Sequence, residues 1–269
     1  MEITESPSWL ISQHPNYKRW KKAREISLER GKFVKMIISR FIKCKSLNIL
    51  ELGSGEGGTA DVFSKDNQLV SVDLSFLRLQ RQPNGINRIN ADALKLPFKE
   101  SSFDLIILQD VLEHISSNNN ILHYLSQFLQ KEGLVYISTP NRFSLINFIA
   151  DPHFGLPCIS LFKRDQIKKY FLPIFRKKDI YRKDIAQLLS LNELIKMSTD
   201  FDIFLNTKLA VSELLYGNKG VAWSDLHLKL VGLIKRLGLE NFIFNIADDR
   251  DSFLNRFFTP TFYLILKRK

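Results

Sequence analysis

Residues 51–58 read ELGSGEGG and follow the apolar run LNIL of residues 47–50. A glycine-rich turn behind a strand lets bare backbone come close to a ligand. Gly53, Gly55 and Gly58 satisfy G-x-G-x-x-G, and Asp73 lies 20 residues after Gly53. Those facts alone describe a dinucleotide-binding turn. Glu51 argues for a different occupant. A carboxylate beside the turn is a poor neighbour for a pyrophosphate but suits a cofactor that carries an ammonium and a sulfonium. The turn also offers Gly57 and no arginine to receive a phosphate.

Outward from the turn, the pattern alternates strand and helix. A basic amphipathic helix over 18–43 precedes the first strand, with Phe33, Ile37, Phe41 and Val34, Ile38, Ile42 as its stripes. After the turn come a short helix over 58–65 and the strand QLVSVD. A weak strand INRIN and the loop ADALKLPF follow. FDLIILQD is nearly continuous in apolar residues, as a strand covered on both faces should be. VLEHI and ILHYLSQFLQK read as helix, closed by Gly133, before the strand GLVYIST and Pro140. Residues 141–200 read as helical, including KRDQIKKYFL and DIAQLLSLNELIKM. FDIFLN, a helix around 224–237 and the strand TFYLILK complete the chain. Such alternation predicts an α/β fold, a doubly wound Rossmann-like sheet with helices on both faces. Acids recur at strand ends: Glu51, Asp73, Asp92 and Asp110. In open parallel sheets the carboxyl ends of strands line the ligand crevice. There Asp73 can accept from ribose hydroxyls and Asp92 from an adenine amine.

ILELGSGEGG, LVSVDLS, ADALKLPFKESSFDLIILQDVLEHI and GLVYISTPNR resemble, in order and spacing, the motifs of class I S-adenosylmethionine-dependent methyltransferases. The resemblance is closest to the branch with the ubiquinone and menaquinone enzymes and covers roughly residues 47–142. It implies a mostly parallel seven-stranded sheet with an antiparallel last strand, and S-adenosyl-L-methionine as cofactor. It places Glu51, Gly53, Ser54 and Gly55 at the methionine part of the cofactor and Asp73 on the ribose. Leu74 then packs on the adenine, Asp92 and Ala93 meet the adenine edge, and Gln109 offers backbone to the amino group. Gly57 and Gly58 also fit simple helix–strand packing, Gly58 above all.

On the acceptor side, His153 in ADPHFGLP is the candidate base or substrate ligand, with Asp151 orienting it, and Asp110 is the second catalytic candidate. The string TPNRFSLINFIADPHFGLP resembles segments of members that act on glycans or lipid-linked sugars. Asn141, Arg142 and His114 are candidate substrate contacts, Arg142 for a phosphate or carboxylate. The LEH string around His114 occurs in members with very different substrates, which favours a supporting role over catalysis. His14 and His123 show no partner in the sequence.

The expected domains are a basic helical segment over 1–45 and a methyltransferase domain over 46–269, with cap insertions at about 141–200 and 207–257. The expected activity is methyl transfer, by preference to oxygen, on a small-molecule, glycan or lipid-linked acceptor. Two rival readings are an NAD-dependent oxidoreductase, which lacks an evident hydride-side residue, and a cofactor-binding module without catalysis. The balance of 39 Lys+Arg against 28 Asp+Glu gives +11. Eleven basic residues fall between Lys18 and Lys45 and nine between Lys163 and Asp184. Such patches favour an anionic partner or merely keep a face solvated. A nucleic-acid partner is not favoured, because neither an Asn-Pro-Pro-aromatic string nor an added RNA-binding module occurs. The aromatic-basic run at 162–183 suits peripheral membrane contact. Two cysteines, Cys44 and Cys158, form no framework, and no cysteine–histidine spacing suggests a metal. With no signal peptide or spanning segment evident, the expected location is cytoplasmic, at most peripheral at a membrane.

Overall fold

The computed structural model describes residues 17–115, 120–181, 185–217 and 225–269. The start of the expected N-terminal segment, with His14, and positions 182–184 and 218–224 of the expected caps lie outside them. Seven strands form one sheet in the order β3-β2-β1-β4-β5-β7-β6. They are β1 (Asn48–Leu52), β2 (Gln68–Asp73), β3 (Asn87–Asn90), β4 (Phe103–Gln109), β5 (Leu129–Pro140), β6 (Phe201–Leu205) and β7 (Thr261–Arg268). β1 runs parallel to β2 and β2 to β3, while β7 is antiparallel to both β5 and β6. The predicted sheet with its antiparallel last strand is therefore present. The order reverses at β1 and β4, the switch point where open α/β sheets bind ligands.

Two compact units divide the chain. Among the described residues, the first comprises residues 17–107 and Phe128–Gly133. The second comprises the described residues of 108–127, 134–217 and 225–269.

In the first unit, helix α1 (Tyr17–Ile38) buries Phe33, Val34, Ile37 and Ile38. It stops five residues short of the expected end, and Phe41 is partly exposed. Helix α2 (Gly58–Ser64) packs against α1, and α3 (Phe76–Gln80) lies beside β2. The approach of α1 to α2 is close enough to require glycine. A Cβ on Gly58 would sit 2.2 Å from the Ser27 carbonyl carbon. The packing reading of Gly58 thus holds, with a helix rather than a strand as the neighbour.

In the second unit, α4 covers only Ile121–Ser126, because β5 already begins at Leu129. Gly133 therefore sits within a strand and closes no helix. From Gly133 to Pro140 every residue of β5 is buried. Residues 141–200 hold the short helices α5 (Leu145–Ile149), α6 (Arg164–Gln166), α7 (Leu172–Phe175) and α8 (Leu191–Met197). A π-helical turn, Ile167–Phe171, links α6 to α7. This stretch of residues 141–200 has its own small core of Phe154, Ile159, Ile167, Leu172 and Ile185. The expected helix over 184–197 is only half present. Residues 185–190 form no helix, and Leu189 bridges Asn141. Beyond β6 come α9 (Thr207–Tyr216), α10 (Asp225–Arg236), α11 (Glu240–Ile246) and α12 (Phe253–Phe257).

Candidate functional site

The glycine turn of the first unit is held from three sides. Gly53, Gly55 and Gly57 have φ of 62°, 52° and 74°, a left-handed conformation that side chains rarely adopt. Asp73, at the end of β2, accepts from the Gly55 N–H at 2.9 Å and from the Ser75 N–H at 2.7 Å. Each of its oxygens keeps a further lone pair. The wholly buried Gln82 donates from Nε2 to Ser54 Oγ at 2.8 Å and to the Gly55 carbonyl at 3.1 Å. Arg81 makes a two-pronged pair with Glu56 at 3.0 and 2.6 Å. Sequence reasoning missed Gln82 and Arg81, whose only signal is their place just after α3.

Glu51 is the penultimate residue of β1, with its side chain buried, and Oε2 finds no hydrogen-bond partner among the described residues. Loss of water, and then the charge of Asp73, push its carboxyl up to about 8. An unpartnered buried acid oxygen at a bare-backbone turn fits a cationic ligand, which would return the missing charge partner. A pyrophosphate fits less well. The Gly58 N–H at the start of α2 is already donated to Ser27 Oγ at 3.1 Å.

The second unit gathers another set. β4 ends at Gln109, and Asp110 follows with φ 56°, its N–H donating to the Ser138 carbonyl and its Oδ1 accepting from the Ser138 hydroxyl, both at 2.9 Å. The short 3-10 turn Leu112–His114 then places Glu113 fully inside. Glu113 Oε2 accepts from the Thr139 hydroxyl at 3.1 Å, and Oε1 lies 3.7 Å from His153 Nε2. The His114 and His153 rings stand edge to face with centroids 5.0 Å apart. Glu113 was absent from the sequence-derived candidates; its signal is the acid–imidazole pair Glu113-His114 directly after β4. The expectation of no metal set meets this cluster, which residue spacing in the sequence does not reveal. Asp151 orients His153 through the backbone rather than the ring. Its Oδ1 accepts from the His153 and Phe154 N–H groups, both at 2.9 Å.

Residues 50–137 match the methyltransferase-domain family. The chain carries a class I S-adenosylmethionine-dependent methyltransferase domain. With the superfamily comes its cofactor, S-adenosylmethionine. An uncharacterised protein of Methanocaldococcus jannaschii is 29% identical over 140 residues, 51% of this chain and 60% of that one. A probable S-adenosylmethionine-dependent methyltransferase of Mycobacterium tuberculosis is 28% identical over 104 residues, 37% of this chain and 38% of its own length. The match thus spans less than two thirds of either relative. A solved S-adenosylmethionine-dependent methyltransferase of Thermotoga maritima shares the fold with a TM-score of 0.54 and 16% identity, over 94% of this chain and 95% of that one.

The other sequence-derived residues of the methyltransferase domain take varied places. Leu74 is 71% exposed at the end of β2, free to stack on a flat ligand. Asp92 is exposed and accepts the Leu94 N–H at 2.9 Å, so its present contact is that of a turn residue, next to Ala93. Asn141 departs from the substrate-contact expectation. It is wholly buried, and its amide donates to the carbonyls of Asn255, Arg256 and Thr259 at 3.2, 3.0 and 2.9 Å. Its polar atoms therefore fasten β5 to the C-terminal segment. Arg142 does hold a carboxylate, but the protein's own: Glu193 at 3.1 Å, beside the Leu161 carbonyl at 2.8 Å. His123 has a partner in Asp200 at 2.9 Å on the surface.

Proposed function

We propose that the chain binds S-adenosylmethionine on the glycine turn and transfers its methyl group to an oxygen of a small-molecule, glycan or lipid-linked acceptor. The observation that carries the reading is Glu51, a buried carboxyl with an open oxygen beside three left-handed glycines. In this reading Glu51 and the Gly53–Gly55 backbone hold the methionine part. Asp73 keeps the turn in shape and offers its remaining lone pairs to the ribose, while Leu74 covers the adenine. Ser54, Asp92, Ala93 and Gln109 complete the cofactor contacts. S-adenosylmethionine, when bound, supplies a methyl group already activated by cationic sulfur. The protein's tasks are then to orient the acceptor, exclude water and receive a proton.

The reading assigns acceptor handling to Glu113, His114 and His153, with Asp110 shaping the same unit. His153 faces a carboxylate that can hold its ring and stabilise the imidazolium, the arrangement a hydroxyl acceptor needs. Asn141 is left out of the acceptor set because its amide is spent on the fold, and Arg142 because its guanidinium already holds Glu193 and the Leu161 carbonyl. The test is calorimetry with S-adenosylmethionine, its demethylated product and a nicotinamide dinucleotide, followed by labelled methyl transfer to a panel of hydroxyl acceptors. Uptake of the first two is expected. For His153→Ala, cofactor affinity should stay within about twofold while transfer falls by roughly 100-fold or more, the usual scale for a lost general base. Binding of the dinucleotide alone would overturn the cofactor assignment. Unchanged turnover of His153→Ala would remove that residue from the reaction.

A further inference from the structure

We infer that Glu113, His114 and His153 form a binding site for one divalent first-row transition-metal ion. We infer also that an acceptor oxygen takes an open position on that ion; this second half rests on the methyl-transfer reading above.

Each residue offers one ligand atom, and the three atoms lie within 4.8 Å of one another. An ion bound at about 2.0–2.2 Å from nitrogen and oxygen donors needs them no more than roughly 4.3 Å apart. Small side-chain rotations close that difference. Two imidazoles and one carboxylate leave further positions open, the donor set of metal centres that bind substrate. The set favours manganese, iron, cobalt or zinc over magnesium and calcium, which prefer all-oxygen surroundings.

The surroundings are built to hold such a set. Glu113 is 0% exposed, and a buried carboxylate calls for a compensating positive charge. Its second oxygen is oriented by the Thr139 hydroxyl at 3.1 Å. Its peptide carbonyl accepts from Arg164 Nη2 at 2.8 Å and from the Gln187 N–H at 2.9 Å. His153 rides on a loop fixed by Asp151 and by the buried Phe154, whose carbonyl accepts from Arg176 Nη2 at 2.6 Å. Supports of this kind orient ligands and tune a metal.

The chemical consequence concerns the proton. A hydroxyl bound to a divalent ion becomes far more acidic, so its proton passes to solvent and no side chain need act as base. His153 is then a ligand rather than a base. Two adjacent open positions favour an acceptor whose hydroxyl has an oxygen on the neighbouring carbon, because both can coordinate.

The probe is Mn²⁺ itself, added to full-length chain stripped with a chelator and followed by calorimetry and by the spin resonance of free Mn²⁺. One ion per chain is expected. His114→Ala and His153→Ala should each weaken binding by at least tenfold. Thr139→Val should weaken it by about 10-fold, as loss of a supporting partner does. All variants should keep wild-type affinity for S-adenosylhomocysteine, which shows that they are folded. Mn²⁺ uptake no greater than that of a His114→Ala/His153→Ala double variant would overturn the site. In that case intact cofactor binding would leave the methyl-transfer reading standing. Mn²⁺ binding without any cofactor uptake would do the reverse.

Discussion

At the residue scale, Glu51 makes the sharpest statement about conditions. Its carboxyl titrates near 8 in the fold, against 4.5 ordinarily. Between those values the folded chain holds a proton that the unfolded chain releases. Stability therefore falls as pH rises through roughly 4.5 to 8, at up to about 1.4 kcal/mol per pH unit. A Glu51→Gln variant should lose this part of the slope, and urea titrations at pH 5, 6.5 and 8 would read the difference. A cationic ligand favours the ionised acid, so cofactor uptake near pH 7 should release a proton. Calorimetry in buffers of different ionisation heat detects that release. If heat is independent of buffer, Glu51 does not charge on binding.

At the scale of elements, Asn141 ties the end of β5 to residues 255–259 with one buried amide. Asn141→Ala should cost about 2–4 kcal/mol by stranding buried carbonyls, with cofactor affinity in the surviving folded fraction unchanged. Chemical denaturation checks the first expectation and calorimetry the second. The same scale shows what was legible in the sequence. β1, β2, β4, β6 and β7 stand out because apolar runs of strand length lie between turn residues. The early start of β5 does not, since LQKEG continues a helical period and carries no strand-favouring residue after Leu129. The helix-free stretch 185–190 hid for a related reason: a short apolar run does not by itself tell helix from other structure. Ser190 with Glu193 is the capping box that marks the true start of α8, and it was available in the sequence. In the candidate site, the glycine turn and Asp73 were readable because their chemistry is local in sequence. The gathering of Glu113 with His153 was not, because 40 positions separate them and only the fold brings them together.

For the whole molecule, charge and exposed apolar groups set the expected surroundings. Among the described residues no helix is long and apolar enough to cross a membrane. Around α7, Tyr170, Ile174 and Phe175 are more than half exposed beside Lys168, Lys169, Arg176 and Lys177. That combination suits the face of an anionic bilayer. The expected outcome is sedimentation with anionic vesicles at low salt and release at high salt, where screening weakens the attraction. Ile174→Asp with Phe175→Asp should reduce the bound fraction severalfold. Absence of vesicle binding at low salt would remove the membrane from consideration and leave these side chains to another partner.

The missing side chain at Gly58 has a dynamic consequence. Ser27 and Leu28 lean directly on that backbone, so α1 is tethered to the loop that would grip the cofactor. A ligand that quiets the loop must also quiet the helix. Slowed amide exchange around residues 27–34 on cofactor addition would then report occupancy from a place that touches no ligand.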